Sequence, residues 1–132
     1  MSRLVLALAT AAALLVGPVA LAAGGQPRLQ SFFQSSLSSA SYQKKVYERV
    51  ARNWRQPGAK QSPALGRKTV VQALVGRDGK LVSVSVTEES GSKAWDAAAL
   101  SAVKKAAPFE PLPASYTSPT LEVHFHVAWV AG

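Results

Sequence analysis

The sequence predicts an α+β domain of order αββαβ. A three-stranded antiparallel sheet of strand order 2-1-3 carries two helices on one face. Three observations lead there. Asp78-Gly79, a strong tight-turn dipeptide, divides two runs that alternate apolar and polar residues between Lys68 and Thr87. Segments before and after this hairpin repeat apolar residues at helical spacing. The chain then closes on a further alternating run, Thr120 to Val130.

The first helix is predicted over Tyr42 to Gln56. Tyr42, Val46, Tyr47, Val50 and Trp54 share one side, and Lys44, Lys45, Glu48, Arg49, Arg52 and Arg55 the other. Pro57-Gly58 stops it. In the hairpin, a two-residue turn at Asp78-Gly79 pairs Val75 with Val82, Ala73 with Val84 and Val71 with Val86 on one face. Leu74 then meets Ser83, Gln72 meets Ser85 and Val70 meets Thr87 on the other. A slip of one residue scrambles this sorting, so turn chemistry and periodicity select the same register. Ser92 is placed to cap a second helix, Lys93 to Ala106, whose inward stripe is Trp95, Ala99, Ala102, Val103 and Ala106. Pro108, Pro111 and Pro113 keep the following crossover extended. In the last strand Leu121, Val123, Phe125, Val127 and Trp129 face one way, and Thr120, Glu122, His124, His126 and Ala128 the other.

A helical crossover returns the chain to its starting end, so the third strand runs parallel to the second and lies beside the first. The connection is right-handed. This leaves the third strand on an edge, with a row of backbone groups open to a guest.

The 132-residue chain has room for one domain and contains no cysteine. A disulfide scaffold, a thiol nucleophile and a cysteine-based metal site are thereby excluded. Met1 to Ala22 has the parts of a cleavable signal peptide: Arg3, an apolar run from Leu4, the Gly17-Pro18 break and the small-x-small Ala20-Leu21-Ala22. An uncleaved membrane anchor is the alternative, and the only route to a membrane association. Residues 23–41, rich in Gly, Ser and Gln, read as a flexible tether, and 42–132 as the domain. The formal net charge is +8, about +7 without the leader. Export separates this charge from the chromosome, so nucleic acid is not the expected partner.

The helical Tyr42, Val46, Val50, Trp54 and Pro57 spacing combines with the hairpin from Val70 to Leu81. Ser90-Gly91-Ser92 with Trp95, Asp96 and Ala98 to Leu100 follows, then Ala107-Pro108-Phe109 and Pro111-Leu112-Pro113. In this order the pieces resemble the C-terminal domain of the TonB/TolA family, over about Tyr42 to Val130. Trp95 stands where that family usually has an aliphatic residue. The resemblance implies a periplasmic, non-enzymatic domain without a cofactor. Such domains grip an extended segment of an outer-membrane partner by strand addition, and are associated with energy-coupled transport or envelope integrity. Backbone groups of Glu122, Val123, His124, Phe125, His126 and Val127 would bind the partner. The chain departs from a full energy transducer, because a 19-residue tether reaches only roughly 65 Å when fully extended. A free periplasmic binder, or a companion of another anchored protein, fits better.

Other readings come from the residues alone. The basic helix face (Lys44, Lys45, Arg49, Arg52, Arg55) suits an anionic envelope polymer such as lipopolysaccharide or cell wall. Self-pairing of the third strand gives a homodimer. His124 and His126 share a strand face, but two imidazoles with only Glu122 near fall short of a metal site, so none is expected. No serine stands in a nucleophile setting and no catalytic residue is expected.

Overall fold

A computed structural model describes residues 24–132. Its elements are β1 (Gly25–Phe33), α1 (Ala40–Arg52), a short 3-10 turn (Ala59–Gln61), β2 (Lys68–Gly76), β3 (Leu81–Glu88), α2 (Lys93–Ala106) and β4 (Thr120–Ala131). The sheet has four strands in the order β1-β4-β2-β3, and every neighbouring pair is antiparallel. The expected order of the last three strands is therefore present, but the expected count of three is corrected to four. The extra strand comes from the stretch read as a tether. Its Gly, Ser and Gln content masks a period of two: Pro27 and Leu29 are buried, with Phe33 packed against the core, while Arg28 and Phe32 are exposed. Pro27 lacks an N–H, which suits an outermost strand. Leu37, also within that stretch, is buried, and its N–H donates to Gln34 O at 3.0 Å. The leader and its cleavage point lie outside the described residues.

Each helix begins on a serine cap. Ser39 Oγ accepts from Tyr42 N at 3.3 Å, and Ser92 Oγ from Trp95 N at 3.2 Å. Helix α1 ends earlier than the expected Gln56. Asn53 closes it: its N–H turns back to Val50 O and Ala51 O, and its Nδ2 donates to Arg49 O at 2.7 Å. Trp54 thus leaves the helix but still packs on the core. In α2, Ala99, Ala102 and Ala106 are at most 1% exposed, so that helix lies close on the sheet. Leu121, Val123 and Phe125 of β4 and Val71, Ala73 and Val75 of β2 form the floor beneath both helices. Each fully buried Val, Leu or Phe among them contributes about 1.5–3 kcal/mol relative to exposure.

The hairpin follows the expected register from Val71↔Val86 through Leu74↔Ser83, then departs from it at both ends. The turn is a three-residue loop, Arg77 to Gly79. Gly79 N donates to Gly76 O (2.9 Å), Gly76 N donates to Lys80 O (2.8 Å), and Gly79 alone carries positive φ, +88°. Asp78 keeps negative φ, which a two-residue turn of the expected kind would not allow. Its Oδ1 instead accepts from Lys80 N at 3.0 Å. Leu81 consequently opposes Val75, and Val82 bulges out at 60% exposure. At the far end Val70 meets Glu88 rather than Thr87.

The loop holds the proline-rich crossover. Phe109 N donates to Gly79 O (2.8 Å) and Leu112 N to Arg77 O (3.0 Å). The Arg77 guanidinium donates to the carbonyls of Tyr116, Ser118 (2.9 Å) and Pro113 (3.2 Å). From the other side the Tyr42 hydroxyl donates to Glu110 O at 2.8 Å. Burial first, and then the Glu110 charge, push the Tyr42 phenol up to about 12. These contacts fix where β4 enters the sheet.

Candidate functional site

The flank of β4 that faces away from β2 is the place where an added strand was expected. It is not an edge. β1 pairs along it from Gly25↔Ala131 to Phe33↔Val123, so Val123, His124, Phe125, His126 and Val127 have the chain's own backbone on both sides. The expectation of an open third strand, and with it unobstructed self-pairing there, is corrected. Even the next group is engaged: Glu122 N donates to Gln34 Oε1 at 2.7 Å, and the same oxygen accepts from the Tyr116 hydroxyl at 3.1 Å. Because Glu122 N points to the β1 side, the alternate Val123 N points to β2. The two outer edges of the sheet are β1 and β3.

The side chains of β1 divide by face. Inward, Leu29 opposes Val127 and Phe33 opposes Val123. Leu29 O accepts from the Tyr47 hydroxyl of α1 at 3.2 Å. Pro27 and Leu29 form one wall of an apolar notch otherwise lined by Val50, Ala51, Trp54, Ala102 and Val127. Trp54 Nε1 is buried without an acceptor. Gly25 runs against the Trp129 indole, so closely that a Cβ at that position would fall about 2.1 Å from the ring. Trp129 continues edge-on into Trp95 (centroids 5.5 Å), and Trp95 into Trp54 (4.9 Å). Trp95 Nε1 donates to Val127 O at 3.0 Å, which anchors the middle of β4 to α2.

Outward, the sheet face is open. Phe32 lies 47% exposed and packs on the His126 ring, centroids 4.6 Å apart. His126 has its proton affinity lowered, first by burial, then by Lys68 and His124, with Glu88 opposing. His124 Nε2 meets Glu122 Oε2 at 2.5 Å. The two histidines thus have different neighbours, a carboxylate and an aromatic ring. Among the described residues no group of three metal-ligating side chains converges.

The basic residues of α1, and Arg55 just past its end, are spread among local partners. Lys44 reaches Glu48 (4.0 Å), Lys45 reaches Glu110 (3.5 Å), and Arg49 Nε donates to Ala106 O at the end of α2 (2.9 Å). Arg55 turns back on the carbonyls of Arg52 and Trp54. Arg52 is exposed. These cations help close the helix ends as much as they present charge.

β4 lies where it was expected, beside β2, and β1 covers its other side. The signal for β1 was there, in the alternation of Pro27, Leu29, Ser31 and Phe33. Among the described residues no helix is long and apolar enough to cross a membrane. No curated protein and no solved structure matches the chain. Residues 39–127 match the family described as TonB C terminal. The match takes in α1, the hairpin, α2 and most of β4, begins only after β1, and covers well over half of the sequence: the chain belongs to the TonB C-terminal family, whose domains are protein-interaction domains of the cell envelope.

Proposed function

We propose that this is a periplasmic interaction domain that takes up an extended segment of an outer-membrane or other envelope partner as a strand along Glu122 to Val127. It serves energy-coupled transport or envelope integrity and catalyses no reaction. One observation carries the reading. The family match starts at residue 39, after β1, and β1 runs along the flank of the last matched strand in the geometry of an added strand. In this reading β1 is a resident of the partner's place, and the partner takes that place when β1 leaves. Backbone hydrogen bonds supply affinity, and the side chains that alternate along the strand supply selection.

The experiment puts a photoreactive side chain at position 124, on the flank, or at position 82, on the β3 edge, in the full chain. Each is exposed to envelope extract. The reading expects partner adducts from position 124 that persist as sodium chloride rises from about 0.1 to 0.5 M, where exposed charge pairs are largely screened. Adducts from position 82 alone would move the site to β3. Adducts that vanish over that salt range would favour an anionic polymer held by Lys44, Lys45, Arg49, Arg52 and Arg55.

A further inference from the structure

β1 is a sample of what the flank accepts, and its side chains can be read as a recognition rule. Gly25 lies where the Trp129 ring leaves no space for a Cβ. Pro27 occupies a position that needs no N–H. Leu29, 6% exposed, fills the inward position opposite Val127. Phe32 covers His126 on the outer face, and Phe33 packs inward opposite Val123. The fit leaves a small apolar notch beside Pro27 and Leu29, lined also by Trp54. The segment bearing these residues precedes the family match, which starts at residue 39.

We infer that β1 is an exchangeable internal ligand. The flank of β4 selects extended segments of the form glycine, any, proline or any, any, large aliphatic, any, any, aromatic, aromatic, running antiparallel to β4. This rests on the reading given above and names the chemistry of the partner segment. It also sets a direction for improvement. A segment with a slightly bulkier apolar inward residue than Pro27 fills the notch that β1 leaves open and displaces β1 in favour of itself. The apparent affinity for any such segment is the intrinsic one reduced by the fraction of molecules whose β1 has left.

The test needs no envelope partner. A fluorescent nonapeptide with the sequence of Gly25 to Phe33 is titrated against three full-length chains. The first is wild type. The second is Leu29→Asp, which places a carboxylate at the buried anchor of β1. The third carries Arg28→Cys with Ala128→Cys, a cross-strand pair in a chain that has no other cysteine. The expected result is binding to Leu29→Asp at least tenfold tighter than to wild type, and none to the oxidised double-cysteine chain until it is reduced. A peptide with aspartate in the leucine position should fail on all three. A folded Leu29→Asp chain that ignores the peptide would overturn the inference. Amide hydrogen exchange on the wild type guards against a variant that merely unfolds. β1 amides should open at lower free energy than those of β2, and β1 amides that exchange only with global unfolding would also overturn it. If the peptide binds as expected but position 124 captures no partner, the recognition rule stands and the envelope role fails.

Discussion

Gly66 and Gly79 form a matched pair for measuring what holds the crossover. Both have nearly the same backbone conformation, φ +87° and +88°. Around Gly66 a Cβ would meet nothing within 4 Å, whereas at Gly79 it would lie 2.0 Å from Phe109 O and 3.0 Å from Glu110 O. Gly66→Ala therefore carries only the left-handed penalty of a residue with a Cβ, about 1 kcal/mol. Gly79→Ala carries that penalty and also forces the loop away from the crossover. The bonds from Phe109 N to Gly79 O and from Leu112 N to Arg77 O then lengthen or break, at a net ~1 kcal/mol each. The expected losses are about 1 kcal/mol at position 66 and ~3 kcal/mol at position 79. With a urea slope near ~1.5 kcal/mol per molar, the midpoints fall by roughly 0.7 M and 2 M. Equal losses in the two variants would refute the claim that the hairpin loop anchors the crossover.

Further outcomes follow from other contacts. Phe125 is fully buried beneath the helices, and Phe125→Asp should abolish the cooperative unfolding transition and the near-ultraviolet dichroism. Asp96 Oδ1 accepts from the buried Thr69 hydroxyl (2.6 Å) and from Ser90 N (2.9 Å). Asp96→Ala leaves both donors without that acceptor and should cost about 2–4 kcal/mol in urea unfolding, while Asp96→Asn should cost less. Arg77→Met should loosen residues 112–118 and raise their amide exchange with little change in α1. His126 is held below its ordinary proton affinity, so the unfolded chain takes up the proton first. Its contribution is intact above a pH of about 6.5. It falls as pH drops through that value and levels off below the folded pKa. Urea midpoints at pH 7.5 and 5.5 should differ less in His126→Gln than in wild type, and an unchanged difference would remove His126 from the account.

The sequence discloses elements that recognise themselves locally. α2 appears with its limits and its Ser92 cap as expected, because periodicity and capping are properties of a short window. The middle of the hairpin is right for the same reason. Its ends are not, because the choice between a two-residue and a three-residue loop depends on a tertiary partner. The loop carbonyls of Arg77 and Gly79 meet the crossover from another part of the chain. β1 is the extreme case. The alternation in Gly25 to Phe33 is faint, with Ser31 on the inward side and Phe32 on the outward one, and its fate is decided by a flank made about a hundred residues later. The last strand itself was thus legible, but the β1 backbone that covers its flank was not. The basic face of α1 was also visible, but not its ties to Glu48, Glu110 and Ala106, which only the packed helices create.

The tryptophan row gives the protein a built-in optical reporter. All three indoles of the chain belong to one edge-on series, Trp54 to Trp95 to Trp129, whose outer member abuts Gly25. Emission and exciton dichroism therefore come from a single locus, without background from elsewhere in the chain. Departure of the N-terminal strand would wet both ends of that series, Trp129 at Gly25 and Trp54 at Pro27 and Leu29, and leave the middle dry. A red shift with partial quenching would then time the event without any attached dye.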